Sequence, residues 1–229
     1  MSLSKEQLAQ MIDISAVKAD STRLEVESII TAAKEHRLKA VFPMPSFTKY
    51  AKSLLAGESG ILLGGTVGFP SGATTTASKV FEAEELIRSG CDELDMVINI
   101  GKLKSNMHQD VTEDISEVVA IASNIPVKVI LEVSLLTEEE IVTGAKIVRD
   151  SGARFIKTGT GWNGPTTMEQ IRLIKNAVGN SIDIKVAGGV RNLETLLKIH
   201  ELGVARFGLG HKAAVDVIDE FLRKTTGQS

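Results

Sequence analysis

Short apolar strands alternate with amphipathic helices eight times along the chain, and no other feature restricts its fold as strongly. The strand candidates fall at residues 12–14, 39–42, 61–67, 93–100, 127–133, 154–158, 182–187 and 205–208. Helical patterns lie between them, several with clear punctuation. Ser4-Lys5-Glu6-Gln7 reads as a capping box that opens a short N-terminal helix, and Thr22-Arg23-Leu24-Glu25 opens the next helix. Gly90, Gly152, Gly179 and Gly203 stand where helices should stop. Strict strand-helix alternation specifies a parallel sheet covered by helices. A doubly wound open sheet uses the same alternation. The count of eight favours an α/β fold of the (β/α)8 TIM-barrel type with a short N-terminal helix. No linker, charge block or low-complexity run divides the chain, so residues 1–229 read as one barrel domain.

Totals bound the function. The 229 residues are 43% apolar, enough for a sizeable core, and the formal net charge of −3 argues for no nucleic-acid partner and no anionic membrane. Cys91 is the only cysteine, so an internal disulfide is impossible and a reducing compartment fits. The first residues lack the apolar stretch of a leader, and no run has the length of a membrane span. A cytoplasmic protein is expected. The polar tail, residues 225–229, is expected to be mobile.

The strands themselves carry the chemistry. Buried parallel strands normally read as unbroken apolar runs, and four of these do not. Leu94, Met96 and Ile98 alternate with Asp95 and Asn99; Val129 and Leu131 alternate with Lys128 and Glu132. Lys157 shares a face with Phe155, and Ile184 and Val186 alternate with Lys185. If the apolar set faces the helices, the barrel interior receives Asp95, Asn99, Lys128, Glu132, Lys157 and Lys185. A salt-bridge cluster that merely fills the barrel is the bland account. It is weakened because barrels fill with branched apolar side chains and buried ion pairs add little net stability. Lys128 sits early in its strand and suits a structural role, whereas the other polar positions lie nearer the C-terminal strand ends, where this fold places active sites.

Lys157 and Lys185 are one strand-helix unit apart, hence on neighbouring strands roughly 5 Å apart. Two ammonium groups so close disfavour each other's charge, and one can become a nucleophilic amine. Spacing alone leaves open which one reacts. Asp95 offers a carboxylate to hold the second lysine or to move protons. After the seventh and eighth strands come Gly188-Gly189 and Gly208-Leu209-Gly210. Loops there commonly bind phosphate through backbone N–H groups, and Gly159 and Gly161 add to the set. The four histidines show no ligand-like spacing, so no metal is expected.

These motifs resemble those of the deoxyribose-phosphate aldolases, Schiff-base aldolases on a (β/α)8 barrel. The resemblance rests on Glu93-Leu94-Asp95-Met96-Val97-Ile98-Asn99, Lys128-Val129-Ile130-Leu131-Glu132, Phe155-Ile156-Lys157-Thr158, and Lys185 with Gly188-Gly189-Val190-Arg191, and also on Gly65-Thr66-Val67-Gly68-Phe69-Pro70. It implies reversible cleavage of 2-deoxy-D-ribose 5-phosphate to D-glyceraldehyde 3-phosphate and acetaldehyde, with no metal or organic cofactor. It implies that Lys157 forms the Schiff base, that Lys185 lowers its pKa, and that Asp95 relays protons. Asp13, Thr158, Gly159, Gly188, Gly189, Gly208 and Gly210 would bind the substrate and its phosphate. A homo-oligomer is expected only because many barrels associate. The chain departs from the family pattern at Asp13-Ile14-Ser15, Gly159, Ala187 and Gly210-His211, where small hydroxyls or a histidine are replaced. His211 or Lys212 would then replace hydroxyls by charge. The alternative is a Schiff-base aldolase or lyase acting on a different carbonyl substrate.

Overall fold

In a computed structural model, which describes residues 3–226, the eight strands are all parallel and close a barrel in sequence order. They are β1 (Ile12–Ala16), β2 (Ala40–Pro43), β3 (Leu62–Val67), β4 (Glu93–Val97), β5 (Val127–Ile130), β6 (Phe155–Lys157), β7 (Asp183–Ala187) and β8 (Arg206–Gly210). β8 pairs with β1, from Ile12 opposite Phe207 to Ser15 opposite Gly210, which closes the ring. The expected barrel is therefore the observed one.

The helices follow from their caps. α1 (Lys5–Ala9) and α2 (Arg23–His36) begin at the capping boxes of Ser4 and Thr22. α3 (Thr48–Leu54), α4 (Thr76–Arg88), α5 (Ile100–Lys104) and α6 (His108–Ala122) follow. α7 (Glu138–Asp150) and α8 (Met168–Val178) carry further capping boxes at Thr137 and Thr167. α9 (Leu193–His200) and α10 (His211–Thr226) complete the outer layer. The remainder of the polar tail, residues 227–229, lies outside the described residues. Among those described, no helix is long and apolar enough to cross a membrane.

Two strands end sooner than the sequence pattern predicts. β4 stops at Val97 because the Asn99 side chain accepts from the Lys102 N–H and caps α5. β5 stops at Ile130, and Glu132 adopts a left-handed backbone (φ +56°) that turns the chain into a 3-10 segment. Asn99 is thus a helix cap, and Glu132 lies above the barrel wall.

Alternation along the strands sorts the rest. Leu94, Met96, Val129, Ile156, Ile184 and Val186 join an apolar core with Val111, Ile115, Ala145, Ile171 and Leu196 of the helices. The interior instead receives charged side chains and the ring of Phe42. A Cβ on Gly64 of β3 would stand 2.1 Å from Phe42 Cε1, so the bare backbone there makes room for the ring. Gly64→Ala should cost about 1–3 kcal/mol as an overpacking change. Urea denaturation should show part of that cost recovered in Gly64→Ala/Phe42→Leu; strictly additive losses would contradict this packing.

Candidate active site

Seven buried charged side chains meet inside the barrel: Asp13, Glu93, Asp95, Lys128, Lys157, Lys185 and Arg206. Arg206 Nε donates to Asp13 Oδ1 at 2.9 Å, and its Nη2 donates to Glu93 Oε1 at 3.0 Å. Lys128 Nζ lies 2.7 Å from Glu93 Oε1 and 3.2 Å from Asp95 Oδ1. Lys185 Nζ lies 2.8 Å from Asp95 Oδ2 and 2.6 Å from Asp13 Oδ2. The last contact closes a ring of alternating sign: Asp13, Arg206, Glu93, Lys128, Asp95, Lys185 and back to Asp13. Three carboxylates face three cations. Lys157 stands outside the ring as a fourth basic group and donates to Asp95 Oδ2 at 2.8 Å.

Local sequence explains the placement. Lys157 is opposite Lys185 in the register of β6 and β7, Asp95 is opposite Lys128, and Lys185 is opposite Arg206. Strand pairing alone thus puts Lys128 beside Asp95 but sets the other cations side by side, and the carboxylates that match them reach across the barrel interior. The Phe42 ring lies under them, with Lys185 Nζ 4.1 Å and Lys128 Nζ 4.9 Å from its centroid. Such contacts favour the charged amine.

The two lysines that spacing could not distinguish are separated by their surroundings. Burial lowers Lys157 first; the Asp95 carboxylate raises it but does not compensate, and Lys185 lowers it further, so its pKa falls from 10.5 to about 8. Lys185 suffers the same burial, yet Asp13, Asp95 and Glu93 outweigh it and raise its pKa. Asp95 feels burial in the opposite direction, and Lys128, Lys157 and Lys185 hold it well below the usual carboxylate value. The geometry thus supplies one amine prone to be neutral beside one held as an ammonium.

Lys157 and Lys185 open into a cavity of about 400 Å³ that is also lined by Asp13, Ser15, Lys18, Phe42, Thr66, Phe69, Gly188, Gly189, Arg191, Gly208 and Gly210. Gly188 and Gly189 have φ of +86° and +95°, and a Cβ on Gly189 would strike Pro165 at 2.8 Å. A Cβ on Gly208 would crowd Lys185 Cε at 3.3 Å. Five of the six glycines expected at the site, Gly161 included, therefore line the cavity, as does Asp13, although Asp13 is also bound into the charged ring.

Thr158 and Gly159 do not line it, which corrects the expectation for both. The Thr158 hydroxyl donates to the Ala187 carbonyl at 3.1 Å and accepts from the Ala187 N–H at 3.0 Å, tying β6 to β7. Gly159 leaves space for Glu132, whose Oε1 would lie 3.0 Å from a Cβ there. Glu132 accepts from the N–H and hydroxyl of Thr160 and from Asn163 Nδ2, so it anchors the loop after Lys157 instead of joining the charged ring. His211 and Lys212 line an adjoining recess of about 480 Å³, and Lys212 pairs with Asp216 at 2.6 Å. Lys18 and Arg191 are the cations at the rim of the cavity itself.

Glu93 and Arg206 escaped the sequence reading. The signal was present: Glu93 is two residues before Asp95 on the same face, and Arg206 is two before Gly208. Among the described residues, no three His, Cys, Asp or Glu side chains are grouped to hold a metal ion.

Several known proteins are similar to this chain over most of its length. The model of the DeoC/LacD family aldolases matches residues 7–206. The deoxyribose-phosphate aldolase of Sinorhizobium medicae (strain WSM419) is 44% identical over 218 residues, covering 95% of this chain and 88% of that protein. Deoxyribose-phosphate aldolase 2 of Staphylococcus aureus (strain MRSA252) is 45% identical over 201 residues, covering 87% and 91%. Among solved structures, deoxyribose phosphate aldolase from Aeropyrum pernix, described as a unique tetramer, superimposes with a TM-score of 0.82 at 25% identity, over 95% of this chain and 92% of that one.

The charged ring makes stability depend on acid. Asp13 and Asp95 are held below their ordinary value of 3.8 in the folded protein. Their ionised forms stabilise the native state fully above that value, and the contribution is lost as pH falls below it through their lowered folded values. Asp95→Asn should cost about 3–5 kcal/mol near neutral pH, because it leaves buried cations uncompensated. Thermal unfolding should show the gap from the wild type narrowing below about pH 4. A gap that stays constant or widens in acid would contradict the assignment.

Proposed function

The chain belongs to the DeoC/LacD family of aldolases, and from that premise we propose that it cleaves 2-deoxy-D-ribose 5-phosphate reversibly to D-glyceraldehyde 3-phosphate and acetaldehyde through a Schiff base on Lys157. The observation that carries this reading is the fourth basic group: Lys157 Nζ reaches the cavity beside a ring whose charges balance without it.

In this reading the neutral Lys157 amine adds to the substrate carbonyl, and loss of water gives an iminium. The new positive charge lies against Asp95 Oδ2, which already accepts from Lys157 at 2.8 Å. The iminium draws the electron pair of the breaking carbon–carbon bond and becomes an enamine, while the hydroxyl on the departing carbon gives its proton to Asp95, directly or through water, and becomes the aldehyde. Protonation of the enamine and hydrolysis release acetaldehyde and restore the amine. Lys185 remains an ammonium, held by Asp13 and Asp95, and keeps Lys157 from recharging. Gly188, Gly189, Gly208 and Gly210 line the wall where a phosphate would sit, with Lys18 and Arg191 supplying charge. The reading includes a cytoplasmic setting and assembly of copies; the Aeropyrum pernix relative is described as tetrameric.

One observation favours a second reading within the same chemistry. Phe69 packs edge-on against Trp162, with centroids 5.9 Å apart, and Trp162 Nε1 donates to the Val17 carbonyl at 3.0 Å. This aromatic wall at the mouth suits a less polar carbonyl substrate. A panel of phosphorylated and unphosphorylated aldehydes and 2-deoxy sugars separates the two.

Borohydride added with deoxyribose 5-phosphate should reduce an iminium on Lys157 and fix the sugar skeleton or its two-carbon fragment on the Lys157 peptide. Lys157→Met should abolish both the adduct and turnover. Lys185→Met should lower turnover by about 10²–10⁴-fold while Lys157 can still be trapped at high pH. An adduct on another residue, or full activity in Lys157→Met, would refute the mechanism.

A further inference from the structure

Thr66, on β3, is 1% exposed, and its hydroxyl has no hydrogen-bond partner among the described residues. It lines the cavity that holds Lys157 and Lys185. A buried hydroxyl without a partner is destabilising, because it has given up its hydrogen bonds to water. Valine has nearly the same shape and would fill the position without that cost, so the hydroxyl needs a use.

Its place in the barrel narrows that use. Thr66 is opposite Asp95 in the strand register and two residues beyond Gly64, above the Phe42 ring. In the closed strand order β3 stands opposite β7, which ends in the Gly188-Gly189 turn. A phosphate at that turn is across the barrel from Thr66, so the hydroxyl meets the carbon chain of the ligand. A threonine hydroxyl both donates and accepts but does not titrate in the working range. It therefore suits a neutral hydroxyl better than a proton in transit. Phe42 and Phe69, which share the cavity lining, offer no polar group in its place.

We propose that Thr66 is a specificity-determining residue whose side chain binds the hydroxyl next to the aldehyde carbon of the acceptor half of the substrate. The proposal rests on the aldolase reading above. A site built to pair a substrate hydroxyl discriminates against the analogue that lacks it.

The test runs the reaction toward synthesis, with acetaldehyde as donor and two acceptors that share a phosphate, glyceraldehyde 3-phosphate and 3-phosphopropanal. Wild type should favour the hydroxylated acceptor by about tenfold or more in kcat/KM. Thr66→Val should remove most of that preference through the KM of the hydroxylated acceptor, and Thr66→Ser should retain it. Activity of Thr66→Val on 3-phosphopropanal reports that the site is intact. An unchanged preference in Thr66→Val overturns the proposal and leaves the aldolase reading standing. Loss of both activities in both Thr66→Val and Thr66→Ala assigns the hydroxyl a structural role and also overturns it. A wild type that makes no product from either acceptor and forms no borohydride adduct removes the aldolase reading, and the proposal with it.

Discussion

The balanced ring of three carboxylates and three cations is the constraint on which the site depends. Such a ring is an expensive way to fill a barrel. Desolvating each ion costs several kcal/mol, and apolar side chains of similar volume would be at least as stable. Its return lies in what it does to the next charge. With Asp13, Glu93 and Asp95 already matched by Lys128, Lys185 and Arg206, a protonated Lys157 is an unmatched cation in a buried place. Burial lowers its pKa first and Lys185 adds to that. Asp95 limits the fall because its Oδ2 contacts Lys157, but only in part, since the same oxygen also pairs with Lys185.

Further interactions hold this arrangement at the mouth of the barrel. Lys79 is fully buried, donates to Asp114 at 2.5 Å and to the Val97 carbonyl at 3.0 Å, and so links α4 and α6 to the end of β4. Glu82 accepts from the Gly68 N–H at 2.7 Å and fixes the loop that carries Phe69. On the other side, Glu132 gathers Thr160 and Asn163 and fixes the loop after Lys157. The loops above the amine are therefore tied to the scaffold by buried polar groups.

The fold was readable from alternation because each strand-helix unit repeats the same two periods, and the capping boxes at Ser4, Thr22, Thr137 and Thr167 marked helix starts with their own chemistry. The interior position of Asp95, Lys128, Lys157 and Lys185 was readable for the same reason, since charge at every second residue has only one wall to face. Strand ends were harder. A period of two cannot show that Asn99 turns back to cap a helix or that Glu132 takes a left-handed backbone, because both depend on partners that follow. The third cation was also hidden: Arg206 reads as a surface arginine until β8 closes against β1 and brings it to Asp13. Thr158 and Gly159 looked like ligand groups because motif position does not reveal whether a hydroxyl is spent on a neighbouring strand.

The central claim is that the ring leaves Lys157 as the amine that loses its proton readily and Lys185 as the one that stays charged. Competitive isotopic labelling with acetic anhydride from about pH 6 to about pH 11, with each lysine peptide quantified by mass spectrometry, measures it directly. The account predicts that Lys157 labels with a midpoint near 8, and that Lys185 shows no such transition over the range. A Lys157 midpoint in the ordinary lysine range near 10.5, or the lower midpoint at Lys185, would contradict it.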